Sequence, residues 1–153
     1  MTTVYLAGKM TGLTIQEMTK WRIAATALLS DDFHTYNPAA TPLSNRLTDR
    51  EIVDSNKFQI RNSDVVLVEL DHEDVSIGTI GEIVFARENG KPVIAWGSAK
   101  KVIEHPWVKE HITIHFPGLI EAVDYIKRNY CKRRPNKVRE GGCELVWEKT
   151  LFH

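Results

Sequence analysis

"DVVLVEL", residues 64–70, decides how the rest of the chain is read. Its apolar run is broken only by Glu69, and it is rich in valine, a residue that suits a strand better than a helix. A strand that is apolar at successive positions buries both faces, as parallel sheets do when helices cover them on either side. Downstream, "SIGTIGEIVFA" (76–86) turns through glycines into a helix that is apolar almost all round, and Asn89–Gly90 ends it. "PVIAW" (92–96) is the next strand. Strand, helix and strand within about thirty residues make a βαβ unit.

The same alternation extends in both directions. "TVYLA" (3–7) is a buried strand ended by Gly8. Met18, Trp21, Ala25, Leu28 and Leu29 then recur at helical spacing over 14–30, and Thr14 with Glu17 forms a capping box. "FHTYNP" (33–38) reads as a strand closed by proline, and 39–47 as loop. A helix over 48–63 carries Ile52, Val53, Asn56 and Ile60. "ITIHF" (112–116) is a fifth strand, and Leu119, Ala122, Val123 and Ile126 share a face of a last helix over 118–128. The pattern predicts one doubly wound α/β domain, flavodoxin- or Rossmann-like, over residues 1–128, with a five-stranded parallel sheet and helices on both faces. Residues 129–153 read as a C-terminal tail. It is basic over 131–142, has a short strand pattern in "CELVWE" (143–148), and is expected to pack on the sheet or on a neighbouring subunit.

Composition narrows the function. The 153 residues hold twenty basic and twenty acidic side chains, so no overall field recruits nucleic acid or anionic membrane. The basic run 132–139 lacks interleaved aromatics and reads as a solvated tail. The start has neither a basic leader nor a long apolar run, and no stretch approaches a membrane span, which makes the cytoplasm the expected location. Cys131 and Cys143 read as free thiols, with a single disulfide as the alternative. Six histidines show no ligand spacing, so neither a metal nor a cofactor is expected.

Glu82 is the anomaly, a carboxylate inside an apolar helix, where an unpaired charge costs several kcal/mol or shifts its pKa. In open α/β sheets, ligands bind beyond the carboxyl ends of the strands, and there "YLAGKMTG" (5–12) meets the 37–47 loop and "DHEDVSIGTIGE" (71–82). From spacing alone, Glu82 either faces a ligand or merely caps or pairs within its helix. Tyr5 points away from Val4 and Leu6; it is expected to emerge at the strand's end as a partner for Glu82, or else to be an ordinary core tyrosine. "GKMTG" (8–12) can offer backbone amides to phosphate but matches neither the P-loop nor the dinucleotide fingerprint.

Taken together, "VYLAGKMTG" (4–12), "NSDVVLVEL" (62–70) and "SIGTIGEIVFARENGKPVIAW" (76–96) resemble the nucleoside 2-deoxyribosyltransferase family, over about residues 3–128. The family pattern runs from a first strand ending Tyr-(x)-Ala-Gly, through a (Ser/Ala/Asn)-Asp-Val-Val-Leu-Val strand, to Asp-x-Gly-Thr-x-x-Glu opening a helix and then Gly-Lys-Pro-Val. The resemblance implies that Glu82 is the nucleophile at C1′ of the sugar and that Tyr5 orients it. The base is expelled, and a second base or water resolves the glycosyl-enzyme. It implies that Gly8, Lys9, Met10, Ser76, Gly78 and Thr79 bind substrate. The partners implied are a small nucleoside or nucleotide and a nucleobase, not a nucleic-acid polymer, with a homo-oligomer building its pocket near a subunit boundary.

Two positions depart from that pattern. Ser76 stands where the family has an aspartate that holds sugar hydroxyls. A serine there resembles the 2′-deoxynucleoside 5′-phosphate N-hydrolase branch and favours a phosphate that a carboxylate would repel. Asn56 stands where the family usually has an aspartate that contacts or protonates the leaving base. An amide can hydrogen-bond a base but supplies no carboxyl proton. A hydrolase, or a catalytically silent nucleotide-binding protein, is the alternative to a transferase.

Overall fold

The computed structural model describes residues 1–40, 48–74 and 76–132. In chain order the elements are β1 (Thr2–Ala7), α1 (Ile15–Leu29), β2 (Phe33–Tyr36), α2 (Asp49–Arg61), β3 (Val65–Glu69), α3 (Ile77–Glu88), β4 (Val93–Trp96), α4 (Lys100–Ile103), α5 (Pro106–Lys109), β5 (Ile114–Phe116) and α6 (Leu119–Tyr130). All strand pairs are parallel and the sheet order is β2-β1-β3-β4-β5. This is the doubly wound α/β fold with five strands that the alternation predicts. The tail strand expected at 143–148 lies outside the described residues.

Period-two alternation divides the core. Val4 and Leu6 of β1, Val65 and Leu67 of β3, and Ile94 of β4 face α1 and α6, where Trp21, Ala25, Leu29, Ala122, Val123 and Ile126 cover them. Tyr5, Ala7, Val66, Val68, Val93 and Ala95 point to the other face, under Ile60 of α2 and Ile83 and Ala86 of α3. All five residues of β3 are buried, which explains why its sequence lacks a polar face. Each fully buried Val, Leu or Ile contributes roughly 1.5–3 kcal/mol.

Local signals start the helices. Glu17 N–H donates to Thr14 Oγ1 at 3.2 Å while Thr14 N–H donates to the Glu17 carboxylate at 2.7 Å, which is the expected capping box. Thr48 and Glu51 repeat the arrangement at α2, at 3.3 and 2.8 Å. The two one-turn helices α4 and α5 were not anticipated, because four residues are too few to show a periodicity. The available signal was Pro106 at the first helical position, behind the His105 cap.

One glycine is required by close approach. Gly97 has φ +132°, and a Cβ there would lie 2.3 Å from Leu70 O. The absence of a side chain lets the ends of β3 and β4 stay joined, with Leu70 N–H donating to Trp96 O at 2.7 Å and Ala99 N–H to Leu70 O at 3.0 Å.

Two expectations need correction. Tyr5 does not emerge at the strand's end. It is fully buried, stacked on Tyr36 with ring centroids 5.6 Å apart. Cys131, which ends α6, is disulfide-bonded and not a free thiol. Among the described residues, no helix is long and apolar enough to cross a membrane.

Candidate active site

With β1 and β3 adjacent and their connections leaving in opposite directions, the sheet has its switch point at their carboxyl ends. A cavity of about 600 Å³ opens there. The loop after β1 supplies one wall with Gly8, Lys9, Met10 and Thr11, and α2 supplies another with Ile52, Val53, Asn56, Lys57 and Ile60. The third wall is the start of α3, from Ser76 to Phe85, with Glu82 between them. Its volume lies within the range of small-molecule sites, and like them it is mostly apolar with a few convergent polar groups.

Of the residues singled out in the sequence, Gly8, Lys9, Met10, Asn56, Ser76, Gly78, Thr79 and Glu82 all line this cavity. Tyr5 does not; it stands behind Glu82 in the core. The apolar positions of α2 also have an explanation. Ile60 reaches the core, but Ile52 and Val53 border the cavity, and Val53 is 49% exposed.

Glu82 is partly exposed as a residue, but its Oε2 is buried. Burial pushes its pKa up to about 7, against the opposing pull of the Tyr5 hydroxyl and the Arg22 charge. Tyr5 and Glu82 are close enough to influence each other's ionisation yet fall short of normal hydrogen-bond geometry, which leaves Tyr5 Oη and Glu82 Oε2 without partners. Burial first, and then the Glu82 charge, drive the Tyr5 hydroxyl far above its ordinary value, so it remains a neutral donor facing a carboxylate.

Arg22 was missed in the sequence and belongs to the same group. It is fully buried, donating through Nε to Leu6 O at 3.3 Å, through Nη2 to Gly8 O at 3.0 Å and through Nη1 to Met18 O. Its guanidinium also lies 4.8 Å from the Trp21 ring centroid. These bonds tie α1 to the end of β1, where the cavity loop begins. Gly8 permits the approach, since a Cβ there would meet Trp21 at 3.0 Å and Arg22 at 3.2 Å. Glu69, at the end of β3, is a second buried carboxylate beside this charge, and His72 Nε2 contacts it at 2.8 Å. Burial raises Glu69 above the usual carboxylate range, while His72 and Arg22 oppose the rise. A signal for Arg22 was available: it falls on the stripe Met18, Arg22, Ala25, Leu29, where a charge at core spacing needs a reason.

The start of α3 is suited to an anion. Thr79 donates to Ser76 Oγ through its backbone N–H at 3.4 Å and its hydroxyl at 3.0 Å, leaving the Ser76 proton free to be donated. The amides of Ile77 and Gly78 belong to the first turn and have no intrahelical acceptor. Lys9 Nζ stands 2.8 Å from Asp74, with the lysine largely buried and the aspartate 83% exposed. Among the described residues, no three His, Cys, Asp or Glu side chains cluster as a metal site would need.

The sequence pattern of the nucleoside 2-deoxyribosyltransferase family matches residues 4–134, which takes in every wall of the cavity. The chain belongs to that family. No curated protein matches this family member in sequence. Among solved structures, it is similar to the 2-deoxyribosyltransferase of Leishmania mexicana, at 16% identity and TM-score 0.66, over 85% of this chain and 99% of that one. It is similar to the 2-deoxyribosyltransferase of Bacillus psychrosaccharolyticus, at 16% identity and TM-score 0.63, over 80% and 91%. It also resembles a CMP N-glycosidase of Clostridium botulinum, at 15% identity and TM-score 0.58, over 81% and 96%. At such identities the likeness establishes the fold.

Proposed function

We propose that the protein cleaves the N-glycosidic bond of a deoxynucleoside or its 5′-monophosphate, with Glu82 attacking C1′ and Tyr5 orienting the carboxylate. The sugar passes to another base or, alternatively, to water. The observation that carries this reading is Glu82 itself, a half-buried carboxylate at the middle of the cavity wall, with a neutral tyrosine and a buried arginine behind it. Such an environment suits a nucleophile, because a desolvated carboxylate is stabilised when it bonds to a centre with oxocarbenium character. The test is incubation with deoxynucleosides and their monophosphates, with and without an acceptor base, followed by identification of the products. Absence of a free base or an exchanged nucleoside with every donor would leave only the silent binding protein.

A second observation favours phosphorylated donors. From Ser76 to Phe85 the wall extends roughly 13 Å at about 1.5 Å per residue, long enough for phosphate, sugar and base in line. Lys9, Ser76 and the free amides gather at one end. Ser76→Asp would place a carboxylate against the phosphate. At an effective dielectric of ~20, unit charges ~4 Å apart repel by about 4 kcal/mol, and a third of that is about tenfold in affinity. Wild type is expected to bind a deoxynucleoside monophosphate at least as well as its nucleoside, and Ser76→Asp to invert the order. Titration calorimetry on one such pair reads it, and a strong wild-type preference for the nucleoside refutes the phosphate end.

The family resemblance also implies a homo-oligomer, and exposed apolar side chains at the mouth support it. Ile77 is 87% exposed and lines the cavity, as does Val53, and Phe58 nearby on α2 is 57% exposed. Light scattering at micromolar concentration should give a dimer or a multiple of one. A monomer with full activity would contradict this.

A further inference from the structure

We infer that Asp74 stands in for the substrate's phosphate: its carboxylate holds Lys9 until a 5′-phosphate takes its place, so that phosphorylated donors bind by ion exchange at this lysine. The inference rests on the function proposed above and on its phosphate end.

Lys9 lies just beyond β1 and borders two spaces at once. One is the cavity, and the other is a smaller hollow of about 20 Å³ beside it. The hollow has room for a water but not for a substrate group, so a ligand can approach Lys9 only from the cavity. Ser76 and Thr79 also border both spaces and form the partition with Lys9. Asp74 borders the hollow but not the cavity. It sits at a bend between β3 and α3 and accepts from Lys9 Nζ at 2.8 Å. Glu69, another carboxylate of the hollow, contacts His72 instead.

The pair is unequal. The lysine side chain is 15% exposed and the aspartate 83%. An ammonium so far from water needs a counter-charge, and leaving it without one is costly. An exposed carboxylate needs none, because water solvates it once it is released, and such a pair is held weakly. The bond to Lys9 keeps the Asp74 carboxyl below its ordinary range and therefore ionised at neutral pH. A 5′-phosphate is the stronger partner, with close to two negative charges and three acceptor oxygens. From the cavity side it meets Ser76 Oγ and the Ile77 and Gly78 amides together with Lys9. Charge-assisted bonds of this kind are roughly twice as strong as neutral ones. An unphosphorylated nucleoside brings nothing that draws Lys9 from Asp74, so the pair stays closed. Monophosphates therefore compete with Asp74, and nucleosides are indifferent to it.

The experiment measures dissociation constants by titration calorimetry for the four common deoxynucleosides and their 5′-monophosphates, in a Glu82→Gln background so that nothing turns over. That protein is compared with versions also carrying Asp74→Asn, Lys9→Met or both, and wild type is assayed for turnover on the same compounds. Asp74→Asn should tighten the monophosphates about fivefold, the upper worth of an exposed ion pair, and leave the nucleosides within about twofold. Lys9→Met should weaken the monophosphates at least about tenfold, as loss of a charge-assisted bond does. In the double variant the gain from Asp74→Asn should vanish, because an exchange needs the lysine. Asp74→Asn alters a largely solvated side chain and keeps the fold, so its result stands whether or not Lys9→Met is stable. Monophosphate affinity unchanged or lowered in Asp74→Asn would make the pair permanent and overturn the inference. A gain that persists without Lys9 would also overturn it, since plain repulsion between Asp74 and phosphate explains that result. Turnover of nucleosides by wild type, with no monophosphate tightened by Asp74→Asn, leaves the function standing and removes the exchange. Neither binding nor turnover with any compound removes the function and the inference together.

Discussion

Glu82→Gln is expected to lose at least about 10⁴-fold in turnover, as loss of a nucleophile does in covalent catalysis, and to fold more stably than wild type at pH 8. The second effect follows from the buried carboxylate. A rise in pKa from 4.5 to about 7 means that ionisation opposes folding. Because the folded value is the higher one, this group's favourable contribution is complete below about pH 4.5 and is lost as pH rises through about 7. At about 1.4 kcal/mol per unit, the difference is roughly 3 kcal/mol. Glutamine keeps the shape and never ionises. Urea unfolding of both proteins at pH 4.5 and pH 8 should therefore show a gap that opens with pH, alongside the loss of activity. Wild-type turnover in the folded variant would end the nucleophile assignment, and a stability gap independent of pH would end the account of its burial. In wild type the acid limb of kcat/KM should fall near pH 7, where the free enzyme's nucleophile gains its proton.

Arg22→Met is the second large effect. Removing this cation takes its side-chain hydrogen bonds from Leu6 O, Gly8 O and Met18 O and leaves Glu69 with one partner fewer. Breaking a buried charged contact of this kind costs about 3–5 kcal/mol, readable as a lowered unfolding midpoint. The functional consequence has a definite sign. Arg22 pulls the Glu82 pKa down, so its loss shifts the acid limb of kcat/KM to higher pH, and a one-unit shift from about 7 reduces activity at pH 7 by about fivefold. Arg22→Lys retains the charge but not the three-carbonyl fork, so it should lose stability with little movement of the limb. A limb that stays in place in folded Arg22→Met would make Arg22 purely structural.

Much of the fold was legible in the sequence because the interactions that create it are local or periodic. Val65–Leu70 has no polar face, and only a strand covered on both sides can bury it. Trp21, Ala25 and Leu29 repeat at helical spacing, and Thr14 with Glu17 forms its cap from residues three apart. The βαβ alternation then leaves few topologies, since such crossovers are right-handed. The short helices α4 and α5 escaped because one turn carries no period.

The sequence by itself determined the layered α/β architecture, the end of the sheet where the cavity opens, and the conspicuous residues Glu82, Ser76 and Asn56. The architecture, the sheet end and Glu82 follow from hydrophobic period, strand order rules and a charge where none should be, whereas Ser76 and Asn56 stand out only against the pattern of the family that the sequence resembles. Only the tertiary structure decided that Tyr5 is buried behind Glu82 rather than emerging, and that Arg22 stands among Leu6 O, Gly8 O and Met18 O. It also decided that the apolar side of α2 borders a cavity as well as the core. The reason is physical: period tells which residues leave water together, but burial of Tyr5 and Arg22 beside Glu82 depends on contacts between elements far apart in the chain. The pKa of a carboxylate is set by those neighbours, and no spacing within its own helix records them.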